Sequence, residues 1–257
     1  MTAQDKPKNA VKAVKTAFHI LEALERHDGL RLTELADELG IAKSTAHRYL
    51  QTLESMGYLV REKNTYALSH RFMHFGTHVR TRDPRYELID KKVEMIAERT
   101  GELAQFITEE HGQAVYVLQA IGKNGVQIDT VTGKHDPIHT TAAGKAILST
   151  WPREEVENHL DEHGLPGLTP YSITDREALF DELDTIRKRG YSINNQENIE
   201  GLKAISMPIM ASNDRAIGSL SVSGPTNRMS GEWFDAELPN LLLGICNELE
   251  LNFRFLE

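Results

Sequence analysis

The spacing of apolar residues changes character about a third of the way along the chain. From Val14 they fall at Val14, Ala17, Phe18, Leu21 and Leu24, three and four apart, which predicts a helix with one buried face. Asp28-Gly29 stops it. Thr33 is placed to cap a short second helix with Leu35, Ala36 and Leu39 inward. A tight turn at Gly40–Ala42 leads into a third helix with Ala46, Tyr49, Leu50 and Leu53 inward, and Gly57 ends it. Two β-prone runs, Tyr58–Arg61 and Thr65–Leu68, flank the polar turn Glu62-Lys63-Asn64 and predict a hairpin. Three helices, the second short, followed by a hairpin give a winged helix-turn-helix.

Helical spacing resumes over 70–81 and breaks at Asp83-Pro84, because the residue before proline disfavours the helical region. Another helix is predicted from Arg85 to Thr100, with Gly101 as its stop. Beyond it the pattern is mixed. Strands are predicted at Leu103–Thr108, Ala114–Ile121, Val126–Val131, Tyr191–Asn194, Lys203–Met210 and Ala216–Val222, with a turn at Asn213-Asp214 joining the last two. Helices are predicted at Thr141–Thr150, Glu154–Glu162, Asp175–Arg189 and Glu232–Phe253. Hairpin strands with helices grouped between them argue for an α+β fold with a mainly antiparallel sheet. The expected organisation is a winged helix-turn-helix over residues 1–69, a connector helix over 70–84, and an α+β domain over 85–257.

Charge separates the same two regions. Residues 1–82 carry 13 lysines and arginines against 9 aspartates and glutamates, and residues 83–257 carry 16 against 29. A basic head on an acidic body fits a DNA-binding module joined to a separate domain, despite a net charge of −9. The chain shows no long apolar run that would span a membrane, and Met1–Lys15 lacks the apolar core of a signal peptide, so a cytoplasmic protein is expected. The single cysteine, Cys246, lies in an apolar helical pattern and reads as a small buried hydrophobe.

With Ala46, Tyr49, Leu50 and Leu53 inward, the third helix presents Lys43, Ser44, Thr45, His47, Arg48 and Gln51 on its other faces. Arginine can bond a guanine edge through two parallel hydrogen bonds, glutamine can do so for adenine, and serine and threonine can bond bases or phosphates. Arg61 and Lys63 sit where a wing would touch the DNA backbone or minor groove. The plainer alternative is a solvated helix face.

These residues resemble a known family. Leu32-Thr33-Glu34-Leu35-Ala36, Lys43-Ser44-Thr45-Ala46-His47-Arg48 and Met56-Gly57-Tyr58-Leu59 are similar to the DNA-binding domain of IclR-type transcriptional regulators. The similarity continues through His139–Ala146, Gly190-Tyr191, Glu197, Gly201–Pro208 and Leu220–Pro225. It implies a GAF-like effector domain, a homodimer or dimer of dimers, a double-stranded DNA operator and a small-molecule effector. It also implies an effector pocket at Gly144, Asn194, Ala204, Ser221 and Ser223. Ser221 and Ser223 are two apart on a predicted strand and so share a face, and Ala143-Gly144 offers backbone N–H groups at a helix start. Family members that bind glyoxylate- or pyruvate-like acids usually have an acidic residue where this chain has Asn194, so the effector is expected to be an organic, sugar or aromatic acid of unspecified identity.

Other patterns lead nowhere comparable. Gly144-Lys145 lacks the flanking residues of a P-loop, having His139 and Ala146 instead. Pro137 spoils His135 and His139 as a helical metal pair. His70, His74 and His78 share one face of the connector helix without an acidic or thiol partner, and read as a solvated rim. No local signature of covalent catalysis is evident, and no catalytic residue, cofactor or metal is expected. Two rivals stay open: an enzyme anchored by its head, and an architectural DNA-binding protein with no ligand.

Overall fold

The computed structural model describes residues 10–126, 131–211 and 215–255. These divide into two units, one ending at Arg82 and the other beginning at Asp83. The Lys6–Lys12 lead falls mostly outside the described residues, and the turn at Asn213-Asp214 wholly so.

In the first unit, α1 (Lys12–Arg26), α2 (Leu32–Glu38) and α3 (Lys43–Ser55) close on a core of Ile20, Ala23, Leu24, Leu35, Leu50, Leu53, Leu59 and Tyr66. The inner face of α1 differs from the expected stripe. Val14 and Phe18 stand exposed, while Ile20 and Ala23 are buried, because α1 is apolar on two sides and spacing alone cannot choose between them. The cap of α2 also lies elsewhere: Arg31 is the cap residue, its N–H donates to the Glu34 carboxylate at 2.8 Å, and Thr33 is already helical. The wing is β2 (Leu59–Glu62) and β3 (Thr65–Leu68), extended by a two-residue strand β1 (Leu30–Arg31) that pairs with β3. Helix α4 (Arg71–Thr81) follows and buries no residue. Its first residue is tied to the wing: the Arg71 guanidinium donates to the Met56 carbonyl at 2.7 Å and lies over the Tyr58 ring.

The second unit is a six-stranded antiparallel sheet covered on both faces. Its strands are β4 (Leu103–Glu110), β5 (Gln113–Ile121), β6 (His135–Pro137), β7 (Ser192–Asn195), β8 (Leu202–Met210) and β9 (Ala216–Pro225), in spatial order β6-β5-β4-β9-β8-β7. One face packs on α5 (Arg85–Thr100) and α9 (Leu238–Phe253) through Ala104, Phe106, Ile205, Met207, Ile209, Leu220 and Val222. The other is covered by α6 (Ala142–Leu148), α7 (Arg153–His163) and α8 (Arg176–Arg189). Arg187 near the end of α8 holds these helices together by donating to the carbonyls of Ser149 and Trp151 at 2.8 and 3.2 Å. The helix expected over 232–253 is irregular at its start, with a wide turn at Trp233–Glu237. Pro239 lacks the N–H that a regular helix would use there. The strand expected over 126–131 lies mainly outside the described residues, and Val126 and Val131 are not in a strand. The partner of β5 at the sheet edge is β6, which the sequence pattern does not mark. Cys246 is buried among apolar residues of α9, and burial pushes its thiol pKa up.

Two histidines are buried, His159 on α7 and His139 in the turn that precedes α6. Burial lowers the pKa of His139 and of His159 to about 4 each. The folded state therefore binds fewer protons than the unfolded chain below pH 6.5, and stability is lost as pH falls from 6.5 toward 4. The loss should reach at most about 1.4 kcal/mol per pH unit for each histidine. Urea unfolding across this range should show that slope, and His159→Phe should flatten it; an unchanged slope would remove His159 from the account.

Candidate functional sites

Each unit carries a candidate site. On α3 the inward residues are Ala46, Leu50 and Leu53, with Tyr49 half-buried. Lys43, Ser44, His47, Arg48 and Gln51 are exposed, and Thr45 is half-buried. Lys43, His47 and Gln51 form one row at spacing four, and Ser44 and Arg48 form the next. Five polar side chains thus stand on adjoining rows, the face a helix must offer to enter a major groove. At the wing, Lys63 takes a left-handed φ of 57° at the tip. Arg61 is exposed but folded back, its Nε donating to the Lys63 carbonyl at 3.2 Å and its guanidinium over Tyr66. His70, His74 and His78 are exposed, and among the described residues no group of three His, Cys, Asp or Glu could hold a metal ion.

In the second unit strand register builds the site. Gln105 pairs with Ser221 and Leu103 with Ser223 across β4 and β9. Ser223 pairs with Ala204 across β8, and Ala204 with Asn194 across β7. Partners opposite one another share a face, so this row lies under α6, opposite the row of Leu220 and Val222. A cavity of about 370 Å³, including its mouth, opens over the row. It is lined by Gln105, Ile107, Tyr116, Thr141, Ala142, Ala143, Asn194, Asn198, Leu202, Ala204, Ser221 and Ser223.

Four of the five residues expected there, Asn194, Ala204, Ser221 and Ser223, are brought together on this wall. Gly144 is not. Its N–H is taken by the Thr141 hydroxyl at 2.8 Å, and it stands behind the wall against the preceding helical turn. A Cβ on Gly144 would lie 1.8 Å from the Ile138 carbonyl oxygen, so the glycine serves close packing. The Asn194 amide is also spent within the protein. It donates to the Thr140 carbonyl and accepts the Glu197 N–H. The sequence reading missed Gln105, Tyr116 and Asn198, whose strand and loop positions become neighbours only through long-range pairing.

The wall is neutral: none of the lining residues carries a charge. Tyr116 donates to the buried Asp136 at 2.9 Å, and burial together with that carboxylate raises the phenol pKa, so it stays protonated. Ser223 Oγ is buried without a hydrogen-bond partner. The N–H groups of Ala142 and Ala143 open α6 and have no partner within it. The nearby cation, Lys145 Nζ, is fully buried and held by Glu197 at 2.7 Å and Glu182 at 3.5 Å. Burial raises the Glu197 pKa, and Lys145 opposes that rise.

A winged helix-turn-helix with a polar third helix, together with a separate α+β unit enclosing a small neutral cavity, defines a DNA-binding protein with a ligand-sensing domain. Comparison with known proteins narrows this. Residues 85–244 match the family described as bacterial transcriptional regulator IclR C-terminal, and residues 13–63 match the IclR helix-turn-helix domain. The chain is 30% identical over 247 residues to a probable HTH-type transcriptional regulator ArcR of Halobacterium salinarum, covering 94% of this chain and 93% of that one. It is 27% identical to the p-hydroxybenzoate hydroxylase transcriptional activator of Acinetobacter baylyi, covering 86% and 83%. The crystal structure of the Thermotoga maritima IclR superposes with a TM-score of 0.79 at 28% identity, covering 93% and 98%. The chain belongs to the IclR family: it is a DNA-binding transcriptional regulator with an effector-binding C-terminal domain. Among the described residues, no helix is long and apolar enough to cross a membrane.

The buried ion pair yields a prediction. Lys145→Ala leaves Glu197 buried without its cation and should cost about 3–5 kcal/mol, whereas the joint swap Lys145→Met with Glu197→Leu should recover most of that loss. Denaturant unfolding of both variants decides it, and equal losses would contradict the pairing.

Proposed function

We propose that residues 1–69 read the operator, 70–84 connect and 85–257 sense the effector. Lys43, Ser44, Thr45, His47, Arg48 and Gln51 face the major groove, and Arg61 and Lys63 of the wing touch the backbone. The observation that supports this is the pair of exposed polar rows on α3, opposite the buried Ala46, Leu50 and Leu53. The protein acts in the cytoplasm, where its DNA is, as a homo-oligomer on a near-palindromic operator, and it catalyses no reaction. The Acinetobacter baylyi relative is a transcriptional activator.

The effector sits in the neutral cavity against Ser221 and Ser223, with Asn194 and Ala204 shaping the wall and Gly144 allowing α6 to approach it. A wall with no charged side chain does not compensate a dianion once water is stripped from it. The effector is therefore a small organic, sugar or aromatic acid carrying at most one negative charge. It changes DNA affinity only as far as it binds one arrangement of the protein better than the other.

Two measurements test this reading. In fluorescence anisotropy at stated salt, Arg48→Ala should cost about 1–3 kcal/mol on the operator and relax base preference, while Lys43→Ala should weaken all sequences alike. Equal losses for Arg48→Ala on operator and random DNA would defeat its role as a base reader. In a thermal-shift screen of monocarboxylic and dicarboxylic acids, the wild type should gain stability from a monoanion, and Ser223→Leu, which fills the cavity, should not. A dianion that stabilises both proteins equally would place the effector elsewhere.

A further inference from the structure

A second cavity lies on the other side of the single 3-10 turn Ile138–Thr140, away from the neutral one. It encloses about 300 Å³ including its mouth. Its polar lining comes from His139, from His159 and His163 on α7, from Gln113 on β5, and from the backbone at Gly112 and Pro166. The cavity is small, with room for a few water-sized groups. The sequence reading gave His139 only a failed metal pairing and passed over His159 and His163.

The imidazoles are held in place but not satisfied. His159 and His163, four apart on α7, stack with ring centroids 4.6 Å apart, and Trp151 meets His159 edge-on at 5.8 Å. The turn backbone presses on His163 so closely that a Cβ on Gly112 would lie 2.3 Å from its Nε2. His139 Nε2 is 3.1 Å from the Pro166 carbonyl. A carbonyl only accepts, so Nε2 carries the proton and the neutral ring leaves Nδ1 a bare lone pair. His159 is 7% exposed and lines the cavity with its imidazole. An imidazole at a cavity wall can exchange hydrogen bonds with a polar occupant.

The occupant's charge follows from the surroundings. No carboxylate lines the cavity. The nearest acids are Glu162, 3.8 Å from His163 Nε2, and Glu109, whose Oε1 already accepts the Gly112 N–H at 2.8 Å. Asp136 on β6 is taken up by Tyr116, Asp161 and Glu157 on α7 pair with Arg176 and Arg153, and Glu110, His111 and His135 also lie within two positions of the lining. The buried Lys145 on α6 adds a positive field felt at His139. A metal cation finds no set of three ligands among the described residues. An anion, by contrast, can be met by N–H groups of His159 and His163, and protonation of the His139 Nδ1 would turn its lone pair into a further donor.

We propose that this cavity is a second binding site of the effector domain, for a small monovalent oxyanion of formate size, bound together with one proton taken up by its imidazoles. Without the anion, burial holds His139 and His159 unprotonated at neutral pH, each near 4, helped by Lys145 at His139 and by the neighbouring imidazoles at His159. A bound anion offsets both effects and raises those values. Affinity must then rise as pH falls toward 4, by up to about tenfold per pH unit for one linked proton. The site is independent of the neutral cavity and of what binds there.

Calorimetric titration of the full chain with sodium formate at pH 5.5, 6.5 and 7.5 tests this. Ionic strength is held with sodium chloride, and each titration is run in two buffers of different ionisation enthalpy. The expected result is affinity that strengthens severalfold per unit fall in pH, uptake of about one proton per formate, and loss of more than tenfold in affinity for His159→Phe. Ser223→Leu should leave formate binding unchanged. Where His159→Phe melts well below the wild type, His159→Gln supplies the test and should weaken binding and lower the proton uptake. Binding that ignores pH, that sodium chloride reproduces, that survives both His159 variants, or that Ser223→Leu abolishes would overturn the proposal.

Discussion

A strand hands successive side chains to opposite faces, and on β9 that rule separates two chemistries. Leu220 and Val222 enter the core against α5 and α9, while Ser219, Ser221 and Ser223 face α6. The rest of the sensing domain depends on that alternation. A slip of one residue would bury hydroxyls in the apolar core and turn leucine and valine onto the cavity wall. The pairings of β9 with β4 and β8 fix the register from both sides, so the cavity inherits its position from the sheet.

What covers the serine face explains why the cavity is neutral. Helix α6 lies over it, and Gly144, with no side chain to strike the Ile138 carbonyl, lets the turn Ile138–Thr140 fold tightly onto the start of that helix. Lys145, the next residue of α6, is buried and requires Glu197 and Glu182. The cation is neutralised inside the protein before any ligand arrives. Recognition is left to a serine hydroxyl, backbone amides and a phenol already engaged by Asp136. Such a wall selects by shape and by hydrogen-bond geometry more than by net charge.

Much of this was legible in the sequence, unevenly. The winged helix was read from local signals: spacing on α3, Gly57, and the polar turn between β2 and β3. These depend on neighbours within a dozen residues. The choice of buried face on α1 was misread because Val14 and Phe18 lie outside the unit's core despite perfect helical spacing. In the sensing domain, the shared face of Ser221 and Ser223 followed from strand period alone. Tyr116, Gln105 and Asn198 could not be placed with them, since only the pairing of β4, β5 and β9 brings these segments together. Asn194 was legible as a wall residue, but its bonds to Thr140 and Glu197 were not. Strand β6, three residues long, carries too short a pattern to be seen.

The most direct test of the account is operator binding measured with and without ligand. The purified protein would be titrated at fixed, stated salt against DNA from upstream of its own and neighbouring genes, and against random DNA, in the presence of small organic, sugar and aromatic acids. The account predicts that one fragment binds well above random DNA and that one singly charged acid shifts that affinity, with the shift lost when the cavity is filled. Weak and equal binding to every fragment, unmoved by any acid, would contradict it.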